Sequence, residues 1–210
     1  MILVCWKIPF AVSQLSDWVC CDIIPAMADD KGSSESPATT LCKSCGMCCS
    51  GHLFLWARLH SAELDHSEAL GLTVIRNDPR QRGFNLPCPL WHGQCTIYTS
   101  PDCPRVCHSY KCKLLKELDN EDVSLADAMP VIQQAKQMIK EIESLLPASL
   151  QGSFRQRFVA YWERLEKNTK RRGSPELEFQ QKAEELLKLY ENRFGVNDLI
   201  DKPEENQFWE

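Results

Sequence analysis

Nine cysteines stand between residues 42 and 112 of this 210-residue chain: Cys42, Cys45, Cys48, Cys49, Cys88, Cys95, Cys103, Cys107 and Cys112. All five histidines (His52, His60, His66, His92, His108) lie in the same stretch, and Lys113 to Glu210 holds neither residue type. Three further cysteines, Cys5, Cys20 and Cys21, precede it. Thiols gathered in this way serve as metal ligands in a reducing compartment or as a disulfide framework in an oxidising one. Met1 to Ala26 makes a poor export signal, because Lys7, Asp17 and Asp22 interrupt it. Its longest uncharged run, Ile8 to Ser16, is nine residues, against the roughly 18 that cross a bilayer. The expected compartment is therefore the cytoplasm, and the expected use of the thiols is metal binding.

The block Cys42-Lys43-Ser44-Cys45-Gly46-Met47-Cys48-Cys49 carries the strongest signal. A CxxC spacing brings two sulfurs to one side of a tight turn, each within about 2.3 Å of a shared ion. Two overlapping pairs make three sulfurs converge, as in the CxxCxxC run of iron–sulfur proteins. Gly46 supplies the positive φ that such a turn needs. Vicinal side chains diverge, so Cys49 is expected to serve a second site or to bridge. Farther on, His92-Gly93 reads as a hairpin turn that sets Leu90 opposite Cys95, with Cys88 a diagonal neighbour about 7 Å away. In Cys103-Pro104-Arg105-Val106-Cys107-His108-Ser109-Tyr110-Lys111-Cys112, a helix opened by Pro104 puts Cys103 and Cys107 on one face. Cys112 then points about 140° away from Cys107. The histidines are weaker candidates, with His92 and His108 nearest to thiols and His60 and His66 facing solvent. Trp56 and Trp91 are expected to pack against the site.

The strings CKSCGMCC, CPLWHGQCTIY and CPRVCHSYKC, in that order, resemble the YkgJ-type cysteine-cluster proteins, described as a zinc- or iron-chelating domain. The resemblance spans about residues 42 to 115. It implies eight ligands: Cys42, Cys45, Cys48, Cys49, Cys88, Cys95, Cys107 and Cys112. Cys103 falls where that family commonly has Arg, His108 replaces its usual Arg and Lys111 its usual Pro. Cys103 is held as a reserve ligand. Flagellin lysine N-methylases are similar in the same domain, but they are longer chains, and this one has no Gly-rich methyl-donor loop. The implied cofactor is zinc or an iron–sulfur cluster.

The elements that must position these residues fall into parts. Residues 1–26 read as a non-native or disordered extension, with Met27 as the expected natural start. Residues 27–41 form a flexible Ser/Pro/Thr-rich lead-in, 42–118 the Cys-rich metal-binding domain, and 119–210 a helical region. Within 42–118, a helix from Ser61 to Leu70 stops at Gly71. Ser124 and Asp127 cap a helix carrying Val131, Ile132, Ala135, Met138, Ile139, Ile142 and Leu145. Pro130 either opens that helix or kinks its first turn. A second runs from about Ser153 to Lys167 with a stripe of Phe154, Phe158, Tyr161, Trp162 and Leu165. A third begins at Ser174-Pro175, ends at Gly195 and carries Leu177, Phe179, Ala183, Leu186, Leu187 and Tyr190. The fold class is α+β, mostly α: a small Cys-rich domain with a short hairpin, followed by three helices.

A formal net charge of −5 argues against a dedicated nucleic-acid binder, and no segment is long enough to enter a membrane. The nine glycines, never closer than five positions apart, leave no phosphate-cradling loop. Lys170, Arg171 and Arg172 read as a solvated loop. Three functions remain: a cytoplasmic metal-binding protein, an iron–sulfur enzyme of redox or protein-methylating type, and a zinc-stapled module that binds a protein partner through its helices.

Overall fold

A computed structural model of the chain describes residues 35–168, 173–197 and 199. The expectations for residues 1–26, the Met27 start, most of the lead-in, Cys5, Cys20, Cys21 and Lys170–Arg172 fall outside the described residues. The chain is α+β and mostly helical, with one small sheet.

The first helix, α1 (Pro37–Cys45), starts inside the segment expected to be flexible. Ser36 caps it by accepting from the Thr39 N–H, and Pro37 occupies the first turn, where its missing N–H costs nothing. The lead-in therefore stops earlier than residue 41, and Cys42 and Cys45 ride on the last helical turn. Gly46 ends α1 in the left-handed conformation, φ 66°. The next elements are β1 (Trp56–Arg58), a 3-10 turn (Ser61–Glu63), α2 (Leu64–Ala69), β2 (Val74–Ile75) and β3 (Gly83–Asn85). The strands form an antiparallel sheet in the order β1-β3-β2, with Ala57 opposite Phe84 and Val74 also opposite Phe84. Strands of two and three residues are too short to show an alternating pattern, and the sequence reading has no sheet here.

The expected hairpin is corrected in register. Trp91, not Leu90, bridges Cys95 across a three-residue loop, and the bridge is isolated rather than part of two strands. The His92 N–H bonds to the Gln94 carbonyl at 3.2 Å, which closes that loop. A short helix, α3 (Val106–Ser109), follows Pro104, whose carbonyl accepts from the Cys107 N–H. Cys112 then precedes α4 (Lys113–Asp119) as its cap position.

Helix α5 (Leu125–Leu145) is capped by Ser124, which accepts from the Asp127 N–H. Pro130 neither opens it nor ends it, and lies within the helix. In α6 (Phe154–Lys167), Ser153 and Gln156 form a reciprocal capping box. Helix α7 (Ser174–Leu189) continues into a π-turn (Tyr190–Phe194) that stops at Gly195, and Gly173 rather than Ser174 occupies its cap. The apolar stripes face inward as their spacing requires, with one exception. Leu177 is 55 % exposed, because two residues along a helix from buried Phe179 is about 200° around its axis.

One large core joins α5, α6 and α7 to α4, α1 and the residues Met47, Leu53 and Phe54. Phe158 and Phe179 are fully buried at its centre, with ring centroids 5.6 Å apart, and Tyr161 meets Phe179 edge-on at 4.6 Å. The aromatic stripe of α6 is thus a packing seam. A smaller core of Ala57, Leu59, Leu64, Leu72 and Phe84 sits under the sheet, so part of the cysteine-bearing stretch does bury apolar surface of its own. Among the described residues no helix is long and apolar enough to cross a membrane.

Candidate metal centre

Helix α1 packs against both α4 and α5, and that contact begins the site. It carries Cys42 and Cys45 on its last turn toward Cys112 at the start of α4. The chain then reverses over Gly46, where the Ser50 N–H and hydroxyl both bond to the Gly46 carbonyl, at 2.8 and 2.7 Å. Within that turn stand Cys48 and Cys49. The Cys49 carbonyl accepts from the Cys88 N–H at 2.6 Å, which ties the second cysteine stretch to the first. The Trp91–Cys95 bridge and the turn at Pro104 bring in Cys95, Cys103 and Cys107.

All nine cysteines line one cavity of about 110 Å3. Its remaining walls are apolar and come from both parts of the chain, including Leu41, Phe54, Phe84, Ile132 and Phe194. Every one of the nine is a free thiol. None of the five histidines lines the cavity; His60, His66, His92 and His108 are exposed. His66 lies 3.2 Å from Asp102, and His108 rests against the Tyr98 ring at 4.6 Å. Trp56 and Trp91 are also absent from the walls. Trp91 instead lies over the Gly46 backbone, with ring atoms 1.9 to 2.4 Å from where a Cβ at Gly46 would stand.

The thiols divide by proximity into two sets. Cys42, Cys45, Cys48 and Cys112 lie close enough to disfavour one another's ionisation. Cys49, Cys88, Cys95, Cys103 and Cys107 do the same among themselves. Cys49 also feels Cys45 and Cys42, so it stands between the sets. Burial is the main cause of the raised values, about 12 for Cys45 and Cys49 and about 11 for Cys112. Cys107 donates to the Cys103 sulfur, which lowers Cys103 and raises Cys107. Cys103 and Cys107 thus meet across the turn at Pro104 and not on a helix face, since α3 begins only at Val106, and Cys112 joins the α1 cysteines instead.

Family models, curated proteins and solved structures give no match to the chain.

The fit of a metal to this site is a matter of donor chemistry. Nine soft sulfur donors in an apolar enclosure suit zinc or iron, not magnesium or calcium. Without a cation the buried thiols hold their protons; a bound ion supplies the positive charge that stabilises thiolates there. Among the described residues, no three Cys, His, Asp or Glu side chains converge as one ion requires. The sulfurs surround a space instead of meeting at a point.

Three polar groups in or near the site were not singled out by the spacing of the cysteines. Tyr98, three residues after Cys95, hydrogen-bonds to Cys42 through its hydroxyl. Lys136 of α5 donates to the Ser44 carbonyl at 2.7 Å, which sets an ammonium group beside Cys45. Arg155 is buried with a bond to the Leu53 carbonyl. No periodicity in the sequence marks a lysine or arginine on an otherwise apolar face as reaching another segment.

His52 packs edge-on against Phe154 at 5.2 Å, with Ser50 Oγ 2.5 Å from its Nδ1. Burial lowers its pKa from 6.5 to about 4. An unfolded histidine takes up a proton near pH 6.5 and the folded one does not, so stability falls with pH from 6.5 toward 4. Between pH 7 and 5 the loss from this group is about 2 kcal/mol. Urea titrations at the two pH values should show His52→Gln losing about that much less than the parent protein. Equal losses would mean that His52 titrates as an exposed histidine.

Proposed function

We propose that this chain is a metal-binding protein that holds zinc or iron through the thiolates of the cavity its cysteines line. The observation that carries the reading is that all nine cysteines from Cys42 to Cys112, drawn from three stretches of sequence, line one cavity as free thiols. The resemblance of CKSCGMCC, CPLWHGQCTIY and CPRVCHSYKC to metal-chelating cysteine-cluster proteins supports it, as does the apolar enclosure. The inorganic centre has a structural task in this reading. It ties the turn after α1 to the segments around Cys88–Cys95 and Cys103–Cys112, which have little regular structure. A reducing compartment, the cytoplasm, keeps the thiols available.

The test is elemental analysis of protein purified without oxygen, together with its absorption spectrum. The expected result is stoichiometric bound metal. Zinc leaves the protein colourless, whereas iron with sulfide makes it brown with absorption near 400 nm. Protein that is folded, free of metal and alkylated at all nine thiols without a denaturant would overturn the proposal.

A further inference from the structure

The cavity holds more thiols than isolated sites use, and the surplus is not at its edge. Two closed four-thiolate sites would take eight sulfurs and leave Cys103 over. Yet Cys103 is only 8 % exposed and lies in the cavity wall with the other eight. Nor are the two sets separate. Cys48 and Cys49 are adjacent in the chain, one in each set, and the Cys49 carbonyl holds the Cys88 segment at 2.6 Å. The void they share is about 110 Å3, several times the roughly 10–15 Å3 that one water needs. Nine sulfurs around one such space suit several ions joined by shared sulfur, and because no three of them converge among the described residues, loading must draw them inward.

The bond count closes on that arrangement. Three tetrahedral ions need twelve bonds to sulfur. Nine thiolates supply twelve when six bind one ion each and three bridge two. Loading releases nine protons to solvent, and three divalent ions with nine thiolates carry a net charge of −3. Lys136, held on the Ser44 carbonyl, places a cation beside the first set.

We propose that all nine cysteines hold a single thiolate-bridged cluster of zinc-type ions, in which Cys103 is a ligand and Cys49 joins the two sets. This rests on the metal-binding reading above and goes beyond it in stoichiometry, in connectivity and in the role of Cys103. The test loads the full chain with Zn(II) under oxygen-free, reducing conditions and weighs it intact by native mass spectrometry. Three zinc ions are expected in one cooperative step, with Cys103 shielded from alkylation as firmly as Cys45. Replacement by cadmium-113 should give resonances split by coupling between ions through shared sulfur. Cys103→Ser should lower the zinc content and speed alkylation of Cys107.

Two zinc ions with Cys103 freely alkylated, uncoupled cadmium resonances, a four-iron cluster, or an unchanged zinc content in Cys103→Ser would each overturn the bridged cluster while leaving the chain a metal-binding protein. Failure to bind any metal would overturn both.

Discussion

Cys45→Ser is expected to strip most of the bound metal and to open residues 42–112 to proteolysis and hydrogen exchange, while the helical signal of α5, α6 and α7 persists. The substitution is nearly isosteric, so its direct packing cost is small. What it removes is a ligand, and structural zinc contributes on the order of 10 kcal/mol to a small fold. That is comparable with the whole stability of an ordinary domain, about 5–15 kcal/mol. The helices have independent means of holding together. Ile132, Ile142, Phe158, Phe179 and Leu186 are fully buried among themselves, and α5 packs along α7. Metal content per chain and exchange mapped by segment check both halves of the expectation. Acid should mimic the substitution, because protons compete with the ion for thiolate. Unchanged metal content in Cys45→Ser would remove Cys45 from the ligand set.

Gly46→Ala should cost about 3 kcal/mol of stability, from two additive sources. The residue has φ 66°, a conformation that costs a side chain roughly 1 kcal/mol. The new methyl would also stand 1.9 Å from Cζ2 and 2.1 Å from Cη2 of Trp91, and overpacking of that kind costs about 1–3 kcal/mol. Gly71→Ala separates the two sources. Its φ is 88° but nothing lies within 4 Å of its would-be Cβ, so only the roughly 1 kcal/mol backbone cost applies. Urea denaturation of the two variants side by side measures the difference. Equal losses would mean that Trp91 does not rest on the turn between Cys45 and Cys48.

The long helices were legible because each writes its ends in short range. Ser153 and Gln156, Ser124 and Asp127, and the Gly195 stop all act within five residues of the backbone groups they satisfy. The same signals were present at Ser36-Pro37, but a surrounding run of serines, threonines and prolines concealed them as a lead-in. The three-stranded sheet was illegible for a different reason: its pairs join Trp56 to Asn85 and Val74 to Phe84, and strands this short have no pattern to read. Within the candidate site, Cys42 and Cys45 share the last turn of α1, but the convergence of three sulfurs expected from the overlapping CxxC pairs is not found among the described residues. Register at His92–Gln94 depends on whether the loop holds two or three residues, and both fit the same letters. Cys103 illustrates competition between two kinds of inference. Helical geometry paired it with Cys107, family likeness set it aside, and the fold puts it in the cavity wall. Leu177 could have been recognised as outward-facing from its angle to Phe179 alone.

Ile132 and Phe194 stand in the same cavity wall as the cysteines although they belong to the helices. The enclosure is therefore closed only when the carboxy-terminal half of the chain is present. A peptide cut after the last cysteine would keep every sulfur and lose part of the dry lining that shields them, leaving its thiols open to air. The inorganic chemistry cannot be transplanted as a cassette, and a core mutation remote in sequence from any cysteine can surface as oxidation.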